Sequence, residues 1–222
     1  MMFKRVKEMA KRKMAKKLLN VCVKQFHIAY YNNHGIGNNT RWFGVKIQKL
    51  PLDMWTYQEM IYELRPEIIV ETGTADGGSA LFFASLFDLL GKGSVVTVDI
   101  KECGMSHPRV TKLIGSSTSE EIFKQVERLV GNKKAMVILD SSHLKEHVLK
   151  EMQMYSKLVP LGSYMVVEDT NVNGHPVAES HGPGPMEAVE EFLSKRKDFM
   201  IDTSREKFVL TFFPNGYLKR IA

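Results

Sequence analysis

At 222 residues the chain is long enough for one sizeable core, and 44% hydrophobic with 25% charged residues is the balance of a globular protein. Two cysteines, Cys22 and Cys103, exclude a disulfide framework and a C-x-x-C metal site, and fit a reducing, cytoplasmic setting. The net charge of +6 is confined to one end: residues 1–17 carry eight Lys/Arg against Glu8 alone, whereas residues 18–222 carry 23 Lys/Arg and 24 Asp/Glu. A neutral body argues against a nucleic-acid enzyme, whose basic residues cover a face, and no run of about 20 apolar residues offers a membrane span.

The basic arm sets Phe3, Val6, Met9, Ala10, Met14, Leu18 and Leu19 at near-helical spacing, which predicts a basic amphipathic helix. Such a helix packs on the body or on a second subunit of a homo-oligomer, or lies on an anionic membrane surface and makes the protein peripheral. Packing is the plainer expectation. Lysines continuing through Lys17 leave no apolar stretch for a secretory leader. The turn-rich segment 30–39 reads as a linker or a mobile lid, dividing an arm at 1–39 from a domain at 40–222. Asp53 is placed to cap a helix ending near Leu64, with Trp55, Ile61 and Leu64 facing inward.

From Pro66 the pattern alternates. Strand-like runs fall at 68–72, 95–100, 110–114, 135–139 and 164–168, with helical segments at 80–90, 119–130 and 144–158 between them. Runs at 198–203 and 208–213 follow as a hairpin. Alternation of this kind predicts an α/β fold: a doubly wound, Rossmann-like sheet of seven strands, parallel but for one.

The first strand runs into Glu71-Thr72-Gly73-Thr74-Ala75-Asp76-Gly77-Gly78-Ser79 and then a helix. Glycines there let a ligand approach the backbone, and the helix start offers free N–H groups. The dinucleotide fingerprint G-x-G-x-x-G is not met, since Ala75 stands at its second glycine. Glu71 before the turn suits a cofactor with a positive amino group and no phosphate, which points towards S-adenosylmethionine. On spacing alone a dinucleotide, or a tight turn that binds nothing, stays open.

In such sheets ligands bind beyond the carboxyl ends of the strands. The second strand ends on Asp99, placed to accept from two ribose hydroxyls, and the third on Gly115-Ser116-Ser117, small enough to lie beside an adenine. The cofactor set is therefore Glu71, Gly73, Thr74, Gly77, Gly78, Ser79, Asp99 and Ser116, with Asp140 at the next strand end. Asp140 also belongs with Glu168 and Asp169, three carboxylates that each follow an apolar run. Convergence of this kind calls for a shared cation, and all-oxygen ligation suits Mg²⁺ or Ca²⁺. Helix capping or pairing with Lys or Arg would satisfy them without a metal. His143, three residues past Asp140, is placed to act as a general base. His147, one turn on, and His107 before Pro108 read as surface residues, and the loop 171–185 as a segment covering the substrate.

Val70-Glu71-Thr72-Gly73-Thr74 with Gly77-Gly78-Ser79, Leu139-Asp140-Ser141-Ser142-His143, Val167-Glu168-Asp169-Thr170 and Gly182-Pro183-Gly184-Pro185-Met186-Glu187-Ala188 together resemble the cephalosporin hydroxylase family, as does Leu52-Asp53-Met54-Trp55-Thr56-Tyr57-Gln58-Glu59. The likeness spans roughly residues 40–215 and leaves the arm outside. It implies a class I methyltransferase that binds S-adenosylmethionine, similar to Mg²⁺-dependent O-methyltransferases of rhamnosyl and macrolide sugars. By resemblance the metal would be held by Asp140, Glu168 and Asp169, the base would be His143, and the cofactor would meet Glu71, Gly73, Gly77 and Asp99. The expected acceptor is a hydroxyl of a sugar or glycosylated natural product. Read literally, the family name suggests an Fe(II) hydroxylase using Asp140, His143 and His175 or His181, which leaves the glycine turn and Asp99 without a purpose. A non-catalytic cofactor-binding module needs no such four-residue set, and a dehydrogenase lacks a hydride site.

Overall fold

A computed structural model describes residues 2–222, without the side chains of residues 2–7 and 10. The chain order is α1 (Met2–Tyr31), α2 (His34–Asn39), β1 (Arg41–Trp42), β2 (Val45–Lys46), α3 (Pro51–Leu64), β3 (Ile68–Thr72), α4 (Gly78–Leu90), β4 (Ser94–Asp99), β5 (Val110–Ile114), α5 (Glu120–Val130), β6 (Ala135–Leu139), α6 (Lys145–Tyr155), β7 (Tyr164–Val167), α7 (Pro185–Lys195), β8 (Phe199–Ile201) and β9 (Tyr217–Arg220). Seven strands form one sheet in the order β5-β4-β3-β6-β7-β9-β8, and β9 alone runs antiparallel to its neighbours. The β1–β2 pair is a separate small hairpin.

Strand periodicity builds two cores, one on each face of the sheet. Ile68 and Val70 of β3 face Phe123, Val126, Met152 and Phe192 from α5, α6 and α7. Ile69, between them, faces Tyr57, Met60, Phe83 and Phe87 from α3 and α4. The chain leaves β3 outward through β4 and β5 and returns to β6 on the other side of β3. That reversal is the switch point at which a crevice opens beyond the strand ends.

Four local expectations change. Residues 208–213 are not a strand: Val209 takes a left-handed φ of 69°, and the final strand lies later, at Tyr217–Arg220, where it pairs with β8 as the expected terminal hairpin. Asp53 does not cap α3, because Pro51 begins the helix and places Asp53 inside its first turn, buried, accepting from the Phe212 amide (2.9 Å) and Tyr217 hydroxyl (3.1 Å). Trp55 faces out, 59% exposed, because the buried face of α3 is Asp53, Thr56, Tyr57, Met60 and Ile61. Segment 30–39 is the end of α1 and the short α2, not an irregular linker.

The arm is helical, but apolar and basic side chains are mixed around it rather than gathered on one stripe. The side chains of Phe3, Val6 and Ala10 of that expectation are not described. Met9, Met14, Leu18 and Leu19 are exposed, and among the described residues the helix meets the body at its last turns, where His27 stacks on Phe212 at 5.2 Å. No helix among the described residues is long and apolar enough to cross a membrane.

Candidate active site

Three adjoining cavities run along the carboxyl ends of the strands. The first, about 340 Å³, is bounded by Gly73, Ala75, Val98, Asp99, Ile100, Ser116, Ser117, Ser141, Ser142 and His147. The second, about 210 Å³, shares Gly73, Ala75, Asp99 and Ser141 with it and adds Thr74, Gly78, Ser79, Lys49, Asp140, His143 and Asp169. The third, about 260 Å³, shares Lys49, His143 and Asp169 and is walled by Tyr30, Tyr31, Asn33, His34, Asn38 and Phe212. One crevice thus leads from an adenosine-sized end, past a cluster of ionisable groups, to a pocket of aromatic and amide side chains.

Gly73 shows why a glycine must close β3. Its φ is +88°, and a Cβ there would lie 1.9 Å from the Asp140 carbonyl oxygen. The close approach comes from the end of β6, whose Asp140 amide donates to the Thr72 carbonyl at 3.0 Å. Gly78 is similarly crowded, with the Lys46 carbonyl 2.2 Å from a built Cβ. These glycines therefore shape the turn against the protein itself, and a ligand benefits from the concavity left behind.

Asp99 sits at the mouth of the first cavity, held by the Ala75 amide (2.9 Å) and the Lys101 amide (2.9 Å). Ser116 lies opposite on the wall. Glu71 does not reach any of the three cavities. It is fully buried beneath the turn, accepts from Thr97 Oγ1 at 2.7 Å, and Thr97 in turn meets Thr74 at 2.6 Å. Burial, opposed by Lys49, pushes its carboxyl up to about 7. Gly77 also lies off the cavity walls; a Cβ there would meet Met105 at 2.7 Å.

Asp140, His143 and Asp169 offer ligand atoms within 4.8 Å of one another, the group among the described residues able to hold a metal ion. His143 Nε2 lies 3.0 Å from Asp169 Oδ2 and 3.6 Å from Asp140 Oδ1. Asp169 reaches this position through a left-handed backbone, φ +52°, two residues after β7, a conformation that costs about 1 kcal/mol and that Asp tolerates better than most residues. Burial pulls the His143 pKa down, but the adjacent Asp140 and Asp169 carboxylates outweigh it and raise it to about 9. Glu168, the third expected carboxylate, turns away from this group. It is buried, accepts from Tyr57 at 2.7 Å and pairs with Lys49 at 2.6 Å; Lys49 also bonds Asp140. Burial drives the Glu168 pKa well up. Burial alone would strip Lys49 of its proton, but Asp140, Glu168 and Glu71 hold it above its ordinary range.

Several of these residues were given no site role by the sequence. Lys49, Tyr57, Tyr30, Tyr31 and Phe212 come from segments far from the strand ends. Charge balance allowed a Lys or Arg partner for the converging carboxylates but did not single out Lys49. His147 is partly buried rather than on the surface: it lines the first cavity and bonds Ser117 Oγ at 3.1 Å. His107 is tied to Asp88 at 3.0 Å. The loop 171–185 lines none of the three cavities. Glu187 pins it to α7 through Asn173 (2.9 Å), His175 (2.9 Å) and the Gly184 amide (2.7 Å), and segment 30–40 covers the crevice instead.

The strand order, the single reversed strand, the glycine turn at the switch point and the carboxylate ending the next strand define a class I methyltransferase fold. A family model described as rhamnosyl O-methyltransferase/CmcI matches residues 34–221. The chain belongs to that family, and it is an O-methyltransferase of the S-adenosylmethionine-dependent class. A rhamnosyl O-methyltransferase of Mycobacterium leprae is 40% identical over 205 residues, covering 88% of this chain and 89% of that protein. One of Mycobacterium bovis is 40% identical over 206 residues, covering 88% and 84%. Among solved structures, CmcI with magnesium and S-adenosylmethionine superposes with a TM-score of 0.67 at 22% identity, covering 83% of this chain and 78% of that one. That likeness is one of fold.

Proposed function

We propose that the protein transfers the methyl group of S-adenosylmethionine to a hydroxyl of a sugar or glycosylated natural product, with Mg²⁺ held beside the acceptor. The observation that carries this reading is the convergence of Asp140, His143 and Asp169 where the adenosine-sized cavity meets the aromatic pocket.

The residues fit both groups. The first cavity is of the size small-molecule sites have, with apolar walls at Val98 and Ile100 and a carboxylate, Asp99, at its mouth. Asp140 and Asp169 are hard oxygen donors, partly exposed and facing one space, as a divalent ion requires. Glu168 would join them only on leaving Lys49. A divalent ion here would acidify the acceptor hydroxyl and neutralise the carboxylates around His143.

The chain's own residues do the rest. Between Asp140 and Asp169, which hold its pKa up to about 9, His143 keeps its proton at neutral pH; with a further positive charge on those carboxylates its Nε2 would be free to take the hydroxyl proton. Asp99 anchors the cofactor's sugar, and Ser116 with His147 flank its base. Tyr30, Tyr31 and Phe212 give flat apolar surface for a sugar ring, and Asn33 and Asn38 give amides for its hydroxyls.

Two measurements test the reading. Thermal melting should rise with S-adenosylhomocysteine, and labelled methyl transfer to a panel of simple glycosides, rhamnosides included, should require Mg²⁺ and stop with EDTA. No stabilisation by the homocysteine product would end the methyltransferase reading of the crevice. For the arm, we propose electrostatic contact with an anionic membrane surface, supported by the eight Lys/Arg of residues 1–17. Equal co-sedimentation with anionic vesicles after removal of residues 1–17 would retire it.

A further inference from the structure

One buried cation in the crevice has no part in the chemistry so far. Lys49 follows β2 by three residues and precedes the start of α3 at Pro51 by two. Its side chain is 5% exposed, and its ammonium bridges Asp140, from the end of β6, and Glu168, from the end of β7. Glu168 is held from its other side by Tyr57. The ammonium therefore spans the two carboxylates that, with Asp169, form the acidic cluster. A lysine buried this deeply persists only when its charge is paired, and these carboxylates are its partners.

Resting on the metal reading above, we infer that Lys49 is an internal counter-cation that a divalent ion must displace, and that it thereby sets the protein's metal affinity. An ammonium and a magnesium ion compete for the same Asp140 and Glu168 oxygens. Hard divalent cations take oxygen donors that are unencumbered. Lys49 lines the acceptor pocket as well as the central cavity, so the displaced ammonium has about 260 Å³ of open space to enter. Glu168 is then free to turn from Tyr57 and Lys49 towards Asp140 and Asp169. Lys49 is a positioning residue in this scheme: it acts through the carboxylates and holds them apart while no metal is present.

The alternative is a permanent ion pair that only supports the fold, and the two make opposite predictions for metal binding. Mn²⁺ titration followed by electron paramagnetic resonance, with isothermal titration of Mg²⁺, is the readout, on the full chain without acceptor. If Lys49 occupies the carboxylates nine-tenths of the time, its removal should tighten binding about tenfold, because an affinity is reduced by the fraction of protein that is competent. Lys49→Met and Lys49→Gln should both tighten Mn²⁺ binding by that factor, whereas Lys49→Arg, which keeps the charge, should bind as the wild type does. A Lys49→Met protein that folds only when Mg²⁺ is present also supports displacement. Equal or weaker affinity in folded Lys49→Met or Lys49→Gln, or tightening by Lys49→Arg to the same degree, overturns it. Absence of Mn²⁺ binding in the wild type and every variant, with stabilisation by S-adenosylhomocysteine intact, would remove the metal reading and this inference together. Metal bound equally by all would remove this inference alone.

Discussion

The two ends of the crevice are built by different means. The cofactor end is made of strand termini and the turns that follow them: Gly73 after β3, Asp99 on β4 and Ser116 after β5. Each is positioned by ladder hydrogen bonds within one strand of its neighbour, such as the Gly73 amide to the Val98 carbonyl at 2.8 Å. The acceptor end is assembled from side chains separated by most of the chain. Phe212 is held by Asp53 through its amide, stacks on His27, and meets Tyr30 and Tyr31 edge-on at 6.0 and 5.7 Å. Backbone pairing makes the first end an inevitable product of the sheet. The second depends on buried polar contacts that single substitutions can remove, which suits a wall that must vary with substrate while the cofactor stays the same.

The largest expected effect separates the ends at the residue between them. His143→Ala should lower kcat by about 10²–10⁴-fold, the usual contribution of general acid–base catalysis. Stabilisation by S-adenosylhomocysteine should be unchanged, since His143 does not line the adenosine-sized cavity. Full activity in the variant would remove the base assignment. A parallel loss of cofactor binding would break the comparison, because it would mean that the two ends are one structural unit.

The same division decides what could be read in advance. The five central parallel strands, the glycine turn, Asp99 and the neighbouring positions of Asp140, His143 and Asp169 were legible because each lies in or close after an apolar run of strand period. Glu168 was legible as a buried carboxylate but not in its orientation, which Tyr57 and Lys49 decide from another part of the chain. The run 208–213 misled because an apolar segment is equally able to pack as a loop: Leu210 and Phe213 are buried without strand pairing. Tyr217–Arg220 escaped notice because Lys219 and Arg220 interrupt its apolar character near the edge of the sheet. Asp53 lies inside the first turn of α3 rather than at its cap. Its carboxylate meets residues about 160 positions later, a contact no local rule reaches.

A smaller effect tests whether the acceptor wall depends on its remote contacts. His27 is buried, with the Asn171 side-chain amide 2.8 Å from its Nε2. Burial lowers its pKa from 6.5 to about 4. Between those values the undocked chain takes up a proton that the docked one refuses, so docking is fully stable above pH 6.5 and weakens as pH falls towards 4. The loss is on the order of 2 kcal/mol, enough to free the end of α1 without unfolding the sheet. Hydrogen exchange at the Tyr30 and Tyr31 amides, corrected for intrinsic rates, should lose protection across that interval while β3 and β6 keep theirs. His27→Phe preserves the stack on Phe212 and removes the proton, so its α1 end should stay protected at pH 4. Acid loss of protection in that variant equal to the wild type would show that the wall is held by something other than a neutral His27.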